Sequence, residues 1–251
     1  EFSDRKHVME FGYFSDQELP RFEHKDLDPA LYRINSHGYR CPEFPIKSLE
    51  GGKNVVVLGC SHTFGIGSSV EELWVNMFED KLSNPRLRFW NLGQPGASGD
   101  LMVRILYATE KILFPDIVLV CWPGTTRRER LDDPEPVNLT SSDEQLKLET
   151  DSTDRHNFMK NVFFIEKFAE HRNAKVFHCF AEDVQVVENA KTYVDETLKN
   201  CWPPFDKFNV ADSERVIVNT PSTARDGLHY GPGHHERFAK QLHKAFYTKF
   251  K

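Results

Sequence analysis

Gly59-Cys60-Ser61-His62-Thr63, at the exit of an apolar run, and Asp226-Gly227-Leu228-His229, near the C-terminus, are the residues of this chain best suited to act together. A hydroxyl is a weak nucleophile at neutral pH until a base takes its proton. An imidazole does so best when a carboxylate holds its tautomer. Aspartate three residues before histidine lets one turn of backbone present both side chains. Such a set performs acyl transfer through a serine. Taken singly, each part is ordinary, because serine follows many strands and aspartate caps many helices. Gly59, Gly65 and Gly67 add weight: they permit a tight turn whose N–H groups point toward Ser61, where an oxyanion would form. The turn carries neither G-x-x-x-x-G-K-[ST] nor G-x-G-x-x-G, which argues against a nucleotide site. Thr63 stands where G-x-S-x-G needs its last glycine, so the nucleophile elbow of α/β-hydrolases is disfavoured.

Two further loops could complete such a site. In Asn91-Leu92-Gly93-Gln94-Pro95-Gly96-Ala97-Ser98-Gly99-Asp100 the glycines and proline dictate a structured turn. Gly96 is expected to offer its N–H toward Ser61, at a place where a side chain would block substrate. In Trp122-Pro123-Gly124-Thr125-Thr126-Arg127, Thr126 is a candidate hydroxyl donor to the oxyanion. Arg127, Arg128 or Arg130 is a candidate contact for an anionic substrate, and Trp122 and His62 are candidate substrate contacts. His234 and His235 read as solvated imidazoles on a first helical turn, not as metal ligands, since no carboxylate or cysteine completes a familiar set.

The elements that must hold these loops alternate along the chain. Asn54–Leu58 is continuous in Val and Leu and reads as a strand buried on both faces. Val70–Leu82 has helical spacing, Arg86–Leu92 is a second strand, and Leu101–Phe114 a helix that Pro115 ends. Ile117–Trp122 is a third strand, Asn157–His171 a helix and Lys175–Phe180 a fourth strand. Val184–Leu198 reads as helix, Arg215–Asn219 as a short fifth strand and Gly233–Phe246 as a terminal helix. Strands alternating with helices imply α/β architecture, a parallel sheet covered on both faces. Ligands gather outside the carboxyl ends of such strands, and all three loops leave strands there. Residues 1–49 show little periodicity and read as an extended arm ahead of a domain over residues 50–251. Residues 123–154, rich in Asp, Glu, Ser, Thr and Pro, form a connection long enough to expect a lid or disorder.

Composition sets the outer bounds. A chain of 251 residues with 39% hydrophobic and 28% charged residues fits an ordinary globular domain with a sizeable core. A net charge of -6 gives no electrostatic reason to expect nucleic acid or an anionic membrane surface as partner. No apolar run approaches membrane-spanning length. Five cysteines without regular spacing make no disulfide framework, and with no signal-peptide pattern after Glu1 they favour a reducing, cytoplasmic setting.

Together the four loops resemble the SGNH (GDSL-type) hydrolase superfamily over residues 54 to 248. The family's first block, Gly-Asp-Ser-x-x followed by Gly, resembles Gly59-Cys60-Ser61-His62-Thr63-Phe64-Gly65. Its second block is similar to Asn91 through Gly96, and its last, Asp-x-x-His, to Asp226 through His229. The resemblance implies a three-layer α/β/α sandwich with a mostly parallel, about five-stranded, flavodoxin-like sheet. It implies Ser61 as nucleophile, His229 as base, Asp226 as its orienter, and the N–H groups of Ser61 and Gly96 in the oxyanion hole. It further implies an esterase acting on a small-molecule or glycan ester, with no metal or organic cofactor. Two departures stand out. Cys60 replaces the family's aspartate, a position without a chemical role. Gly124-Thr125-Thr126-Arg127 stands where the family has Gly-x-Asn-Asp and lacks the asparagine that completes the oxyanion hole, a donor worth about a hundred-fold or more in turnover. That loss leaves room for a non-catalytic protein binding carbohydrate or anionic ligands, and the same triad could transfer an acyl group to a sugar if the lid excludes water. Arg33-Ile34-Asn35-Ser36-His37-Gly38-Tyr39-Arg40 also looks like an Asn-x-x-Gly-Tyr/Phe-Arg stretch found ahead of the catalytic region in some SGNH-like proteins.

Overall fold

Four apolar runs rich in β-branched and aromatic residues pair into one parallel sheet, which satisfies their backbone groups while both faces are buried. In the computed structural model the described residues are 30, 32–45, 51–130, 137–139, 150–181, 224–225 and 229–250. The strands are β1 (Lys53–Gly59), β2 (Leu87–Asn91), β3 (Ile117–Trp122) and β6 (Lys175–Phe180), in the order β2-β1-β3-β6. Every pairing is parallel, with Val55 opposite Phe89, Gly59 opposite Cys121, and Trp122 opposite Phe180. Val55 to Leu58 are at most 1% exposed, the burial expected of a central strand with no polar face. Two more strands, β4 (Arg128–Arg130) and β5 (Val137–Leu139), form a separate antiparallel pair.

Helices cover both faces. After β1 comes a one-turn helix, α1 (Ser61–Phe64), then a 3-10 turn (Val70–Glu72) and α2 (Trp74–Leu82). α3 (Gly99–Leu113) follows β2, α4 (Asp151–Arg172) precedes β6, and α5 (Pro232–Phe250) closes the described chain. Alternation along β6 sorts the two layers. Phe177 packs on Phe246 of α5, while His178 and Phe180 face α4 through Glu166 and Phe158. On the α5 side, Phe78 of α2 packs edge-on against both Phe89 and Phe246, and Trp74 against Phe238. The result is the three-layer α/β/α sandwich, with four parallel strands among the described residues.

The differences from sequence expectation are local. The helix expected over Val70–Leu82 breaks at Leu73, which is extended (φ -78°, ψ 140°) and fully buried. α4 starts six residues earlier than its apolar periodicity suggests, where Thr150 Oγ1 accepts the Thr153 N–H. Part of the connection 123–154 is ordered structure: β4 and β5 lie within it, and Arg128 pairs with Asp154 of α4 at 2.7 Å. The expected helix Val184–Leu198 and strand Arg215–Asn219, like most of residues 1–49, lie outside the described residues.

Candidate active site

β1 delivers Ser61 directly into a turn of helix. Cys60 is extended, Ser61 is the first helical residue, and Gly65 ends the turn with φ 84°. Ser61 is 6% exposed, and its carbonyl accepts from the N–H groups of Gly65 (2.7 Å) and Ile66 (3.2 Å). The second loop lies against this turn. A Cβ on Gly93 would stand 2.6 Å from the Phe64 nitrogen, so only glycine allows that approach. Asn91 at the end of β2 donates its amide to the Thr63 carbonyl (2.8 Å) and accepts from the Gly93 N–H. Gly96 has φ 69°, which calls for glycine on backbone grounds alone. A Cβ there would meet open space.

The histidine end of the chain comes to the same place. The ring of His229 lies 5.3 Å from that of His62, the residue beside Ser61, and His62 lies 4.7 Å from Tyr230. Two anchors hold this segment. Ala224 N–H donates to the His229 carbonyl (2.7 Å), and Arg225 N–H donates to the Gly67 carbonyl (3.0 Å), tying the loop to the turn after Ser61. Arg225 also grips Glu72 with both guanidinium nitrogens, at 2.6 and 3.0 Å. Burial opposes ionisation of Glu72, but hydrogen bonds from Arg225 and the Ser69 N–H outweigh it and hold its carboxyl below the ordinary value. Asp226, the expected orienter of His229, lies outside the described residues.

His234 and His235, expected to be solvated, are buried: 8% and 1% exposed. The reason is the break at Leu73. It leaves the Trp74 N–H at the start of α2 without a helical acceptor, and His235 Nδ1 accepts it at 3.1 Å. Burial, with the nearby His62 adding to it, pushes His235 down to about 3, against the opposing hydrogen bond to the Tyr230 backbone. A neutral imidazole therefore joins α2 to the residue after His229.

The third loop is built differently. Thr125 is buried at 7% exposure, whereas Thr126, the candidate oxyanion donor, is exposed. Trp122 is 1% exposed, and its indole N–H donates to His178 Nδ1 at 2.9 Å, while His178 Nε2 contacts Glu166 at 2.8 Å. Since an indole can only donate, His178 carries its proton on Nε2. Arg127, half-buried, lines a small cleft with Gly99, Trp122, Thr125 and Asn161. Arg128 is engaged with Asp154, and the side chain of Arg130 lies outside the described residues.

No protein-family model and no curated protein matches this sequence. Solved structures do. The psychrotrophic esterase EstA from Pseudoalteromonas sp., solved with monoethylphosphonate as inhibitor, is 14% identical with a TM-score of 0.52, over 78% of this chain and 97% of its own. A member of the lipolytic G-D-S-L family from Veillonella parvula is 13% identical with a TM-score of 0.52, over 79% and 100%. A two-domain esterase active on acetylated mannans is 17% identical with a TM-score of 0.50, over 78% of this chain and 49% of its own. The chain has the SGNH-hydrolase fold.

Within this SGNH fold, sequence reading passed over the residues that hold the loops. Arg40 is 1% exposed and donates to the carbonyls of Phe64, Gly65 and Ser68. Tyr32 Oη accepts the Gly67 N–H at 2.6 Å. Arg225 and His235 complete the set. The one signal available for Arg40 was its place in the Asn35-x-x-Gly38-Tyr39-Arg40 stretch. Arg225 had none beyond its adjacency to Asp226.

Proposed function

We propose that this protein is a serine esterase acting on a carboxylic ester with a short acyl or O-acetyl group. Ser61 Oγ attacks the ester carbonyl while His229 takes its proton, with Asp226 holding the imidazole. The oxyanion is held by the N–H groups of Ser61 and Gly96, with the exposed hydroxyl of Thr126 as a weaker third donor. Collapse of the tetrahedral intermediate expels the alcohol, which receives the proton from His229. Water, deprotonated by the same imidazole, then releases the acid and restores Ser61. His62 and Arg127 are the proposed substrate contacts, with the buried Trp122 forming the wall behind the Arg127 cleft.

The observation that carries this reading is the 5.3 Å approach of the His229 ring to the neighbour of Ser61, across most of the chain. A shared fold alone would not supply it, because fold does not fix function. The phosphonate-inhibited EstA and the esterase active on acetylated mannans motivate the test. A fluorophosphonate probe should label Ser61 in the unaltered protein and not in Ser61→Ala, and acetylated sugars and short aryl esters should be turned over. A second reading, a non-catalytic binder of carbohydrate or anionic ligands, draws on the third loop, where the family's asparagine is absent and Thr126 is exposed. Complete resistance to the probe, with binding of a ligand retained, would favour the binder. Product formed only when an acceptor sugar is present would instead identify an acyltransferase.

A further inference from the structure

The turn that carries Ser61 is too short to hold itself. α1 has four residues, so its terminal carbonyls find no acceptor-saturating partners within a continuing helix. Their partners come from elsewhere. Asn91 donates to Thr63 and Arg40 Nη1 to Phe64 (2.9 Å), and the same guanidinium holds the residues that follow, donating to Gly65 (Nη1, 2.7 Å) and Ser68 (Nη2, 3.0 Å). The guanidinium carbon lies 4.4 Å from the Tyr32 ring centroid and 5.3 Å from that of Phe64. A cation at this end of a helical turn also opposes the partial negative charge of its carbonyls.

The segment that presents Arg40 is itself tightly closed. Asn35 Oδ1 accepts the N–H groups of His37 and Tyr39, both at 3.0 Å, and Asn35 N–H donates to the Tyr39 carbonyl at 2.8 Å. Gln94 of the second loop donates to the Gly38 carbonyl at 3.3 Å. One short stretch ahead of β1 therefore touches both loops whose N–H groups would hold an oxyanion.

We propose that Arg40 is a positioning residue for Ser61: its planar fork fixes the carbonyl end of the Ser61 turn and so the direction of the Ser61 hydroxyl and N–H. The proposal rests on Ser61 being the nucleophile. It requires a guanidinium in particular. Lysine brings the charge, but a compact ammonium cannot span three carbonyls at once from its place beside the Tyr32 and Phe64 rings.

The test compares Arg40→Lys and Arg40→Ala with the unaltered protein, reading the fluorophosphonate labelling rate at Ser61, kcat and KM on an acetyl ester, and backbone amide exchange. Labelling rate and kcat should fall about 10- to 100-fold while KM moves less than about 2-fold, the pattern of a misaligned reacting group. Added guanidinium should restore much of the loss in Arg40→Ala, and Arg40→Lys should recover only part of it. Labelling and kcat at unaltered rates in Arg40→Lys would overturn the proposal. So would a loss in Arg40→Ala that guanidinium leaves untouched, because that marks a merely structural role. Should Arg40→Ala fail to fold, Arg40→Lys decides. Should the unaltered protein itself resist the probe, the nucleophile reading falls separately. Amide exchange at Gly65 to Ser68 then decides the positional claim: faster in Arg40→Lys supports it, unchanged overturns it.

Discussion

The turn after β1 and the loop after β3 leave neighbouring strands at the same end of one sheet, yet they are held in opposite ways. Around Ser61 the protein supplies the partners itself: Asn91, Arg40, Tyr32 and Arg225 all reach in from other parts of the chain to carbonyl or N–H groups between Thr63 and Ser68. At Thr125-Thr126-Arg127 the turn closes on one backbone bond, Arg127 N–H to the Gly124 carbonyl at 3.3 Å, and Thr126 faces solvent. A buried backbone group without a partner costs about 1–3 kcal/mol, so the first turn tolerates little variation. At the exposed Thr126 the second turn is open to solvent and carries no such cost. The glycines and serine of the first turn are therefore tightly constrained by their surroundings, while the exposed position of Thr126 in the third loop is not.

Substitution at the proposed reacting residues should separate the two loops most sharply. Ser61→Ala and His229→Ala are each expected to reduce ester hydrolysis about 10³-fold or more while leaving the thermal transition nearly unchanged. Steady-state assay of purified variants on a short aryl ester, beside circular dichroism melting, checks both. Next in size is the anchor of the histidine segment. Arg225→Met removes the grip on Glu72 while leaving the Arg225 N–H to Gly67 in place. kcat should fall about 10-fold through displacement of His229. A kcat equal to that of the unaltered protein would show that the backbone bonds suffice.

How much of this could be read in advance follows the same division between long-range and local causes. Ile117–Trp122 and Lys175–Phe180 form strands at the residues expected, since burial on both faces leaves an unbroken apolar run. The glycines of the second loop were legible because a close approach or a left-handed φ excludes other residues at that position. The break at Leu73 was not legible, because the acceptor that meets the Trp74 N–H it frees is a histidine some 160 residues away. Arg40 was marked only by its place in the Asn35-x-x-Gly38-Tyr39-Arg40 stretch: it donates to carbonyls, and a carbonyl acceptor leaves no mark on side-chain identity. The start of α4 was missed because Asp151 to Arg155 are polar, so the helix begins on a cap before its apolar stripe begins.

His235 allows a test through pH. Its pKa of about 3 in the folded protein lies below the ordinary histidine value of about 6.5, so between those limits the unfolded chain binds a proton that the folded one does not. Its contribution is complete above the unfolded value and shrinks as pH falls toward the folded one. His235→Gln should melt below the unaltered protein at pH 7.5, and the gap should narrow steadily at pH 6 and pH 5. A gap that stays constant would mean that the imidazole binds its proton as readily in the folded protein as in the unfolded chain and is not the buried, neutral link between α2 and Tyr230.

The smallest effect is expected in the third loop, where it tests the contrast from its weaker side. A preorganised, water-excluded oxyanion donor is worth about 10²–10³ in turnover. An exposed hydroxyl competes with water for the same acceptor and cannot approach that value. Thr126→Val should therefore lower kcat only about 3- to 10-fold, with KM little changed. A hundred-fold loss would mean that this loop closes over the oxyanion when substrate binds, with the threonine doing the asparagine's work. No loss at all would leave the two backbone N–H groups, the first of them beside a turn held by partners from three other segments, as the whole of the oxyanion hole.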